Sequence, residues 1–302
     1  MKQTSIACVL TSTLSLALCA ATAFAINPSR RTFEAHCQIL DEPAEPQYQA
    51  SVTYVPTAGY EKYGRSGQIE CDGHMKMGYF KDIAYGSVEL TGRLKGVMFL
   101  DSANIQLPNQ LVKLAVDGSW TWRYVNDVNL QVRAEPGIYT DLEEISPDTI
   151  FLPVGLRVVR TFNPELSGVI GIDIRPGFGR EVVPVVGVEW SPLDQVRVRA
   201  RLPDSRAILS FPDWSVYLGF DWQNLSYSLR EQGPYNRDLI TMEDHRLYGG
   251  IMGWIGPDIH VFGEIGSVFN RSVRFEGGAS GGEGDIDVDR ARAFRFGVGG
   301  PF

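Results

Sequence analysis

The chain has 302 residues with 28 Lys and Arg against 36 Asp and Glu, a formal net charge of -8, 44% hydrophobic residues and, besides these, 32 glycines. This acidic balance supplies no basic footprint for nucleic acid. No stretch approaches the roughly 18 to 20 uninterrupted apolar residues of a membrane-spanning helix, so a chain of this kind enters a bilayer only as a barrel of strands.

The first segment carries Lys2, an apolar run to about Leu18, and Ala23-Phe24-Ala25, the small-residue pattern that signal peptidase accepts. Residues 1–25 are therefore expected to be an export signal. Cys37 and Cys71 remain as an even pair in an oxidising compartment, and a Cys37–Cys71 disulfide is expected. Residues 26–85 alternate less regularly: Val52 to Val55 and Met75 to Phe80 are short, and His74, Lys76 and Lys81 interrupt them. They are expected to form a periplasmic extension or barrel plug, with two further strands as the alternative.

From residue 86 the chain breaks into about twelve segments of period-two alternation, divided by turn chemistry. They run 86–100, 111–123, 127–139, 151–162, 166–175, 182–191, 195–202, 214–222, 224–231, 244–255, 258–270 and 290–302. Short turns at Asn126-Asp127, Asn163 to Glu165, Ser191 to Asp194, Gln223-Asn224 and Gly256 to Asp258 alternate with longer connections, including Pro203 to Asp213 and the Gly-rich run from Gly277 to Asp289. This rhythm, and the even count, fit an all-β transmembrane antiparallel barrel over residues 86–302, of about 12 strands with 14 as the alternative. Both ends of the barrel are then periplasmic.

Alternation also assigns the faces. Ile170, Ile172 and Ile174 point to lipid and Asp173 and Arg175 to the lumen; Val198 and Ala200 point out and Arg197, Arg199 and Arg201 in. Trp122, Tyr124, Phe162, Trp190, Trp222 and Phe302 are expected in a periplasmic aromatic girdle, and Phe151 and Trp214 in the outer one. The segment 244–255 has no assignable face, because Leu247 and Ile251 match Tyr248 and Met252 in apolarity.

The lumen candidates are Arg197, Arg199, Arg201, Glu189, Asp221, His260 and Glu264. Three arginines on one strand face can set a positive field for anionic solutes. Equally, they can pair with Glu189 on the preceding strand and Asp221 on the following one. Asp258-Ile259-His260 and Asp72-Gly73-His74 put an acid and an imidazole on one strand face, a spacing that resembles the outer-membrane aspartyl-type proteases, but that family also needs a second acidic pair on the opposite wall near the outer rim, and the short turn at Gly256 to Asp258 places Asp258 at the periplasmic end. No histidine precedes a serine by two residues, and no zinc spacing or phosphate-binding loop has its context. The chain is thus expected to be non-enzymatic, with no cofactor and no metal.

The closing strand places Phe294, Phe296, Val298 and Phe302 on one face and resembles the insertion signal of bacterial outer-membrane barrels. Pro136 to Glu143, Val182 to Trp190, Pro212 to Gly219 and this final strand together resemble an uncharacterised, domain-of-unknown-function family of such barrels. The resemblance implies localisation in the outer membrane, outer-membrane lipids and the barrel-assembly machinery as partners, and no assigned activity. The expected role is a narrow solute channel or a structural or surface barrel. The alternatives are a barrel enzyme acting on lipid or peptide, and a binding module using the loops.

Overall fold

The computed structural model describes residues 47–60, 64–100, 107–123, 127–143, 145–229, 239–256, 259–276 and 284–300. The expected signal peptide, Cys37, Tyr124, Asp258 and Phe302 lie outside the described residues.

Seventeen strands form one sheet that closes on itself. They are β1 (Tyr48–Tyr60), β2 (Gly64–Ile83), β3 (Gly86–Leu100), β4 (Gln110–Arg123), β5 (Val128–Ala134), β6 (Gly137–Thr140), β7 (Ile150–Phe151), β8 (Val154–Asn163), β9 (Leu166–Ile174), β10 (Val182–Leu193), β11 (Val196–Leu202), β12 (Asp204–Ser210), β13 (Trp214–Ser228), β14 (Leu239–Ile255), β15 (Ile259–Glu276), β16 (Gly284–Val288) and β17 (Ala291–Gly300). Three staves are broken in two, β5 with β6 and β7 with β8 at Pro136 and Pro153, and β16 with β17 at Asp289 and Arg290, which leaves a closed barrel of fourteen antiparallel staves. Proline has no N–H to give the ladder, so both proline breaks are local and the stave resumes. The seam is β1 on β17, in register from Tyr48 opposite Gly300 to Tyr54 opposite Phe294.

The count corrects the expected twelve at three places. Residues 48–83 are not a plug: β1 and β2 are full staves, and Tyr48, Ala50, Val52 and Tyr54 alternate with Gln49, Ser51 and Thr53 across the wall. Gln223-Asn224 is not a turn but the middle of β13, where Gln223 faces the lumen and Asn224 faces outward above the apolar band. Residues 203–213 are not a loop but a tight turn at Pro203 followed by β12. The expected loop from Gly277 to Asp289 likewise contains β16.

Both chain ends of the barrel and the connections at 84–85, 164–165, 194–195 and 211–213 lie at one end, called here the turn end. The opposite, loop end carries the longer connections at 141–149 and 175–181, together with the tight turn at Pro203. The outward face of β13 shows the level of the bilayer: Trp214, Val216, Leu218, Phe220 and Trp222 give way to Asn224 and Ser226 toward the loop end. Eight residues of a strand tilted by about 40° rise roughly 20 Å, close to the height of a lipid-facing band. Ile170, Leu218, Ile265 and Phe296, at 57 to 67% exposure, are outward and solvent-free only if lipid covers them. On β14 the outward residues are Leu247 and Ile251, and Tyr248 and Met252 face in.

Aromatic residues collect at the turn end as expected, with Trp120 stacked on Trp122 and Phe162 and Trp190 exposed nearby. Two placements differ. Trp214 opens β13 at the turn end, stacked on Phe211 with ring centroids 4.1 Å apart, and Trp222 lies toward the loop end, stacked on His245. The cause is the missed strand β12, which reverses the direction assigned to residues 214–222.

The wall is uneven. β11 and β12 end at Leu202 and Asp204, opposite Val186 and Asp221, whereas β10 continues to Val182 and β13 to Ser228. The hydrogen bond from the Trp222 amide to the Pro203 carbonyl (2.9 Å) is the last rung on that edge of β13. Above it the connection between β9 and β10 crosses the notch. Arg175 donates to the Asn224 carbonyl (3.0 Å), giving that edge group a partner, and the Gly179 amide donates to Ser226 Oγ (3.1 Å), which ties the strap to β13. Phe178 turns into the lumen and Arg180 turns outward over the Trp222 ring, 4.8 Å from its centroid. A Cβ on Gly179 would lie 2.8 Å from Thr241 Oγ1, so this strap packs too closely for a side chain there.

Candidate functional site: the lumen

The lumen is layered. At the loop end one cluster of buried apolar residues spans it, with Leu111 on β4, Tyr139 on β6, Phe151 on β7, Phe178 of the strap, Tyr227 on β13 and Ile240 on β14 among its members. Tyr139 and Tyr227 stand on opposite walls and their ring centroids are 6.4 Å apart. Phe178 meets both Tyr139 and Phe151 edge-on at 5.4 and 5.2 Å. Ser228 even pairs in parallel with Thr140 across the barrel. Phe151 is thus part of this inner seal, not of an outer girdle.

Below the seal, charged side chains cross the middle of the barrel. Arg246 on β14 donates to both carboxylate oxygens of Glu70 on β2 (2.6 and 2.7 Å) and to Asp244 (2.8 and 2.9 Å). Lys95 on β3 reaches Gln223 on β13 at 2.6 Å and lies 3.8 Å from Glu70. Gln68 accepts from Arg271 at 2.9 Å. Against the other wall Asp117 accepts from Arg93 and Arg133, and Glu135 accepts from Arg133 (2.7 Å), Tyr139 (2.9 Å) and Lys113. Such groups leave water only when each finds a partner, and these do.

The expected lumen residues all face inward, but their partners differ from expectation. Arg201 chelates Asp204 at 3.0 to 3.2 Å and approaches Glu189 at 3.6 Å, and Arg199 reaches Asp204 at 3.1 Å. Asp204 opens β12, the strand that the sequence reading took for a loop, so the neighbouring acid was assigned to Asp221 instead. Asp221 accepts from the Tyr248 hydroxyl (3.3 Å), which itself accepts from Arg206 (3.1 Å). Glu264 accepts from Tyr217 (2.9 Å) and lies 3.6 Å from Arg295. Arg197 has no ion pair among the described residues.

His260 lies near the turn end of β15, 4% exposed, with its ring on the edge of Trp254 and beside Phe262. Among the described residues its Nδ1 meets no acid or nucleophile, and its expected partner Asp258 lies outside them. No group of three or more His, Cys, Asp or Glu among the described residues could hold a metal ion. Phe294, Phe296 and Val298 face outward on β17, and Cys71 lies on the outward face of β2 beside Val52, with no disulfide to any described residue.

Glu70, Arg246, Asp244, Gln223 and Asp204 were missed by the sequence reading. The first lies in the strand read as a plug, Gln223 in the supposed turn, Asp204 in the supposed loop, and Asp244 and Arg246 in the segment without an assignable face. Between the crossing network and the turn end is a cavity of about 60 Å³, lined by Glu70, Lys95, Arg246, Tyr248, Glu264 and Arg295 among others.

No curated protein matches the chain. Solved structures match the chain at low identity and low TM-score. The KdgM porin is 9% identical, with a TM-score of 0.35 over 84% of this chain and 99% of that one. The NanC porin is 7% identical, with a TM-score of 0.40 over 84% and 100%. An outer membrane channel from Pseudomonas putida F1 is 10% identical, with a TM-score of 0.41 over 84% and 95%. A family profile described only as a domain of unknown function, DUF6268, matches residues 100–279, more than half of the sequence, and the chain belongs to that family.

Proposed function

We propose that this protein is a non-enzymatic integral barrel of the outer membrane, exported by residues 1–25, whose lumen is sealed at the loop end in its resting state. The observation that carries this reading is the apolar cluster joining Tyr139, Phe178 and Tyr227 across the lumen. Apolar side chains packed in contact leave no hydrated path, and the Glu70–Arg246 and Lys95–Gln223 bonds close a second layer beneath. The protein is then a structural or surface barrel at rest rather than a free diffusion pore. With the first and last described strands beginning and ending at the turn end, that end is periplasmic in this reading, and the outward Phe294, Phe296 and Val298 of the last stave present the insertion signal to the assembly machinery.

A second reading, a solute channel that opens, is favoured by one observation: the strap that supplies Phe178 is not a stave of the wall, so the seal can part without breaking the barrel. Planar-bilayer recording of the refolded protein decides between them. Both readings expect no stepwise current from the wild type at rest; the channel reading alone expects current once residues 176–180 are replaced by a short glycine linker, because the sealed reading keeps the Tyr139–Tyr227 contact and the Glu70–Arg246 layer closed. Stepwise current from the wild type removes the sealed reading. Silence from both removes the channel.

A further inference from the structure

Between the turn end and the crossing network, β11 and β12 bring three arginines to one part of the lumen. Arg199 stands directly opposite Arg206 in the β11–β12 ladder, and Arg197, opposite Ile208, is the diagonal neighbour of Arg206, roughly 7 to 8 Å away between Cα atoms. Like charges placed directly opposite on a sheet repel, so this register costs stability unless negative charge is supplied beside it. The acids of this wall serve the residues nearer the network: Asp204 takes Arg199 and Arg201, and Glu189 lies by Arg201. Among the described residues no carboxylate is within ion-pair distance of Arg197 or Arg206. Asp221 reaches Arg206 only through the Tyr248 hydroxyl that lies between them.

Arg206 is also held in a built seat. Tyr217 and Gly219 on β13 face Gly250 and Tyr248 on β14, so each ring lies opposite a glycine, and a Cβ on either glycine would collide with the ring it faces. Both rings therefore lie against the wall, and the Arg206 guanidinium rests over them, 5.3 and 5.9 Å from their centroids. One terminal nitrogen donates to the Tyr248 hydroxyl (3.1 Å); the other has no acceptor among the described residues and is not shut off from the lumen. Water reaches this level, because the lumen-facing side chains of Glu189 and Asp204 are 35 and 34% exposed. A fixed guanidinium without a carboxylate of its own, open to the turn-end mouth, is equipped to receive an anion.

We propose that Arg206, Arg197 and Arg199 form a binding site for a phosphate dianion, free or carried by a small monoester, that enters the lumen from the turn end. Arg206 and Arg197 bring two guanidinium charges without an acid of their own, and a phosphate of about -1.5 to -2 charges near neutral pH matches them. Its several acceptor oxygens take hydrogen bonds from arginines on both strands at once, which also relieves the Arg199–Arg206 repulsion. The site rests on the barrel reading given above but not on the state of the seal, because it lies on the turn-end side of the crossing network.

The test is equilibrium dialysis of the refolded mature protein, in maltoside micelles with chloride at physiological strength, against radiolabelled inorganic phosphate. Saturable binding is expected, and Arg197→Gln with Arg206→Gln should weaken it roughly tenfold, as loss of charge-assisted hydrogen bonds implies. Arg197→Gln alone removes no ion pair, so the barrel should keep its heat-modifiable gel mobility, and binding should still fall several-fold. Arg160→Gln, which removes an exposed arginine beside Phe162 on the outward face of β8, should leave binding unchanged. The assignment is overturned by a folded wild type that binds no phosphate, by full affinity in either lumen variant, or by an equal loss in Arg160→Gln, which would mean attraction by overall charge. Displacement of the label by succinate at lower concentration than by unlabelled phosphate would also overturn it, in favour of a dicarboxylate. Glycerol phosphate displacing the label at lower concentration than phosphate supports a monoester as the occupant, and at higher concentration the free ion. No current is read in this experiment, so its outcome and that of the bilayer recordings stay separate.

Discussion

Glu70 on β2 and Arg246 on β14 are joined across the lumen by two hydrogen bonds of 2.6 and 2.7 Å, and the arginine is shared with Asp244. Neither acid is more than a tenth exposed, so removal of the cation leaves two buried carboxylates, of which Glu70 keeps only the Gln68 amide and the more distant Lys95. Arg246→Ala should therefore destabilise the barrel by about 3 to 5 kcal/mol, the usual consequence of stranding a buried charge. Adding Glu70→Gln and Asp244→Asn to that variant should restore part of the loss. Urea unfolding in detergent micelles measures both, and strictly additive losses would show that the three residues are not coupled.

Tyr227 presents a different imbalance. Its side chain is fully buried in the loop-end seal, and its hydroxyl has no hydrogen-bond partner among the described residues. An unmatched buried hydroxyl costs about 1 to 3 kcal/mol, while the ring alone makes the contacts that close the lumen. Tyr227→Phe should accordingly leave the barrel as stable as the wild type or up to about 1 kcal/mol more stable. A clear fall in the unfolding midpoint would mean that the hydroxyl has a partner, such as a buried water.

The architecture was legible where the two faces of a stave differ sharply. In β9 isoleucines alternate with Asp173 and small residues, and the assignment holds along its length. It failed where the physical contrast is weak. In β2 the outward face carries Cys71 and Gly73 and the inward face Glu70, Asp72 and His74, so polar residues dominate and the alternation does not announce a membrane strand. β12 puts Ile208 inside and Ser205 outside, which blurs the same signal. The loop-end seal was not legible at all, because its members come from nearly every part of the chain and only closure of the barrel brings them together. The inward direction of the charges was readable from parity, but their partners depended on strand order. One missed strand moved the acid beside the arginine ladder from Asp221 to Asp204.

The place of β1 and β2 in the wall makes a direct prediction about truncation. A chain beginning at residue 86 lacks both staves, and β3 and β17 are then left as open edges facing hydrocarbon. Unpaired backbone groups in lipid cost several kcal/mol each, so this chain should not yield a heat-modifiable barrel. Folding of the truncated chain to a closed barrel, seen by gel mobility, would restore the view of residues 26–85 as a separate plug.

The arginines of β11 should separate by their partners. Arg201 holds Asp204 with three hydrogen bonds and Arg197 has no ion pair among the described residues. Arg201→Gln is expected to cost about 1 to 3 kcal/mol, whereas Arg197→Gln should stay within about 0.5 kcal/mol of the wild type. In a variant with the strap removed, Arg197→Gln should instead weaken anion selectivity in bilayer recordings, because an unpaired guanidinium contributes most to the lumen field. Equal destabilisation by the two changes would refute this division of roles.

The position opposite Tyr248 gives the sharpest packing test. Gly219 pairs with Tyr248 on the lumen face of β13, and a Cβ built on it would lie 2.3 Å from the tyrosine ring. The missing side chain is what lets the ring lie flat against the wall and place its hydroxyl between Arg206 and Asp221. Gly219→Val should force the ring off its rotamer and cost about 1 to 3 kcal/mol, as overpacking does. Combining it with Tyr248→Ala empties the space that the valine invades, so the pair should be less unstable than the sum of the single changes. Refolding into detergent with unfolding monitored by tryptophan fluorescence gives all three values, and additivity of the two losses would show that the ring does not depend on the glycine for its seat.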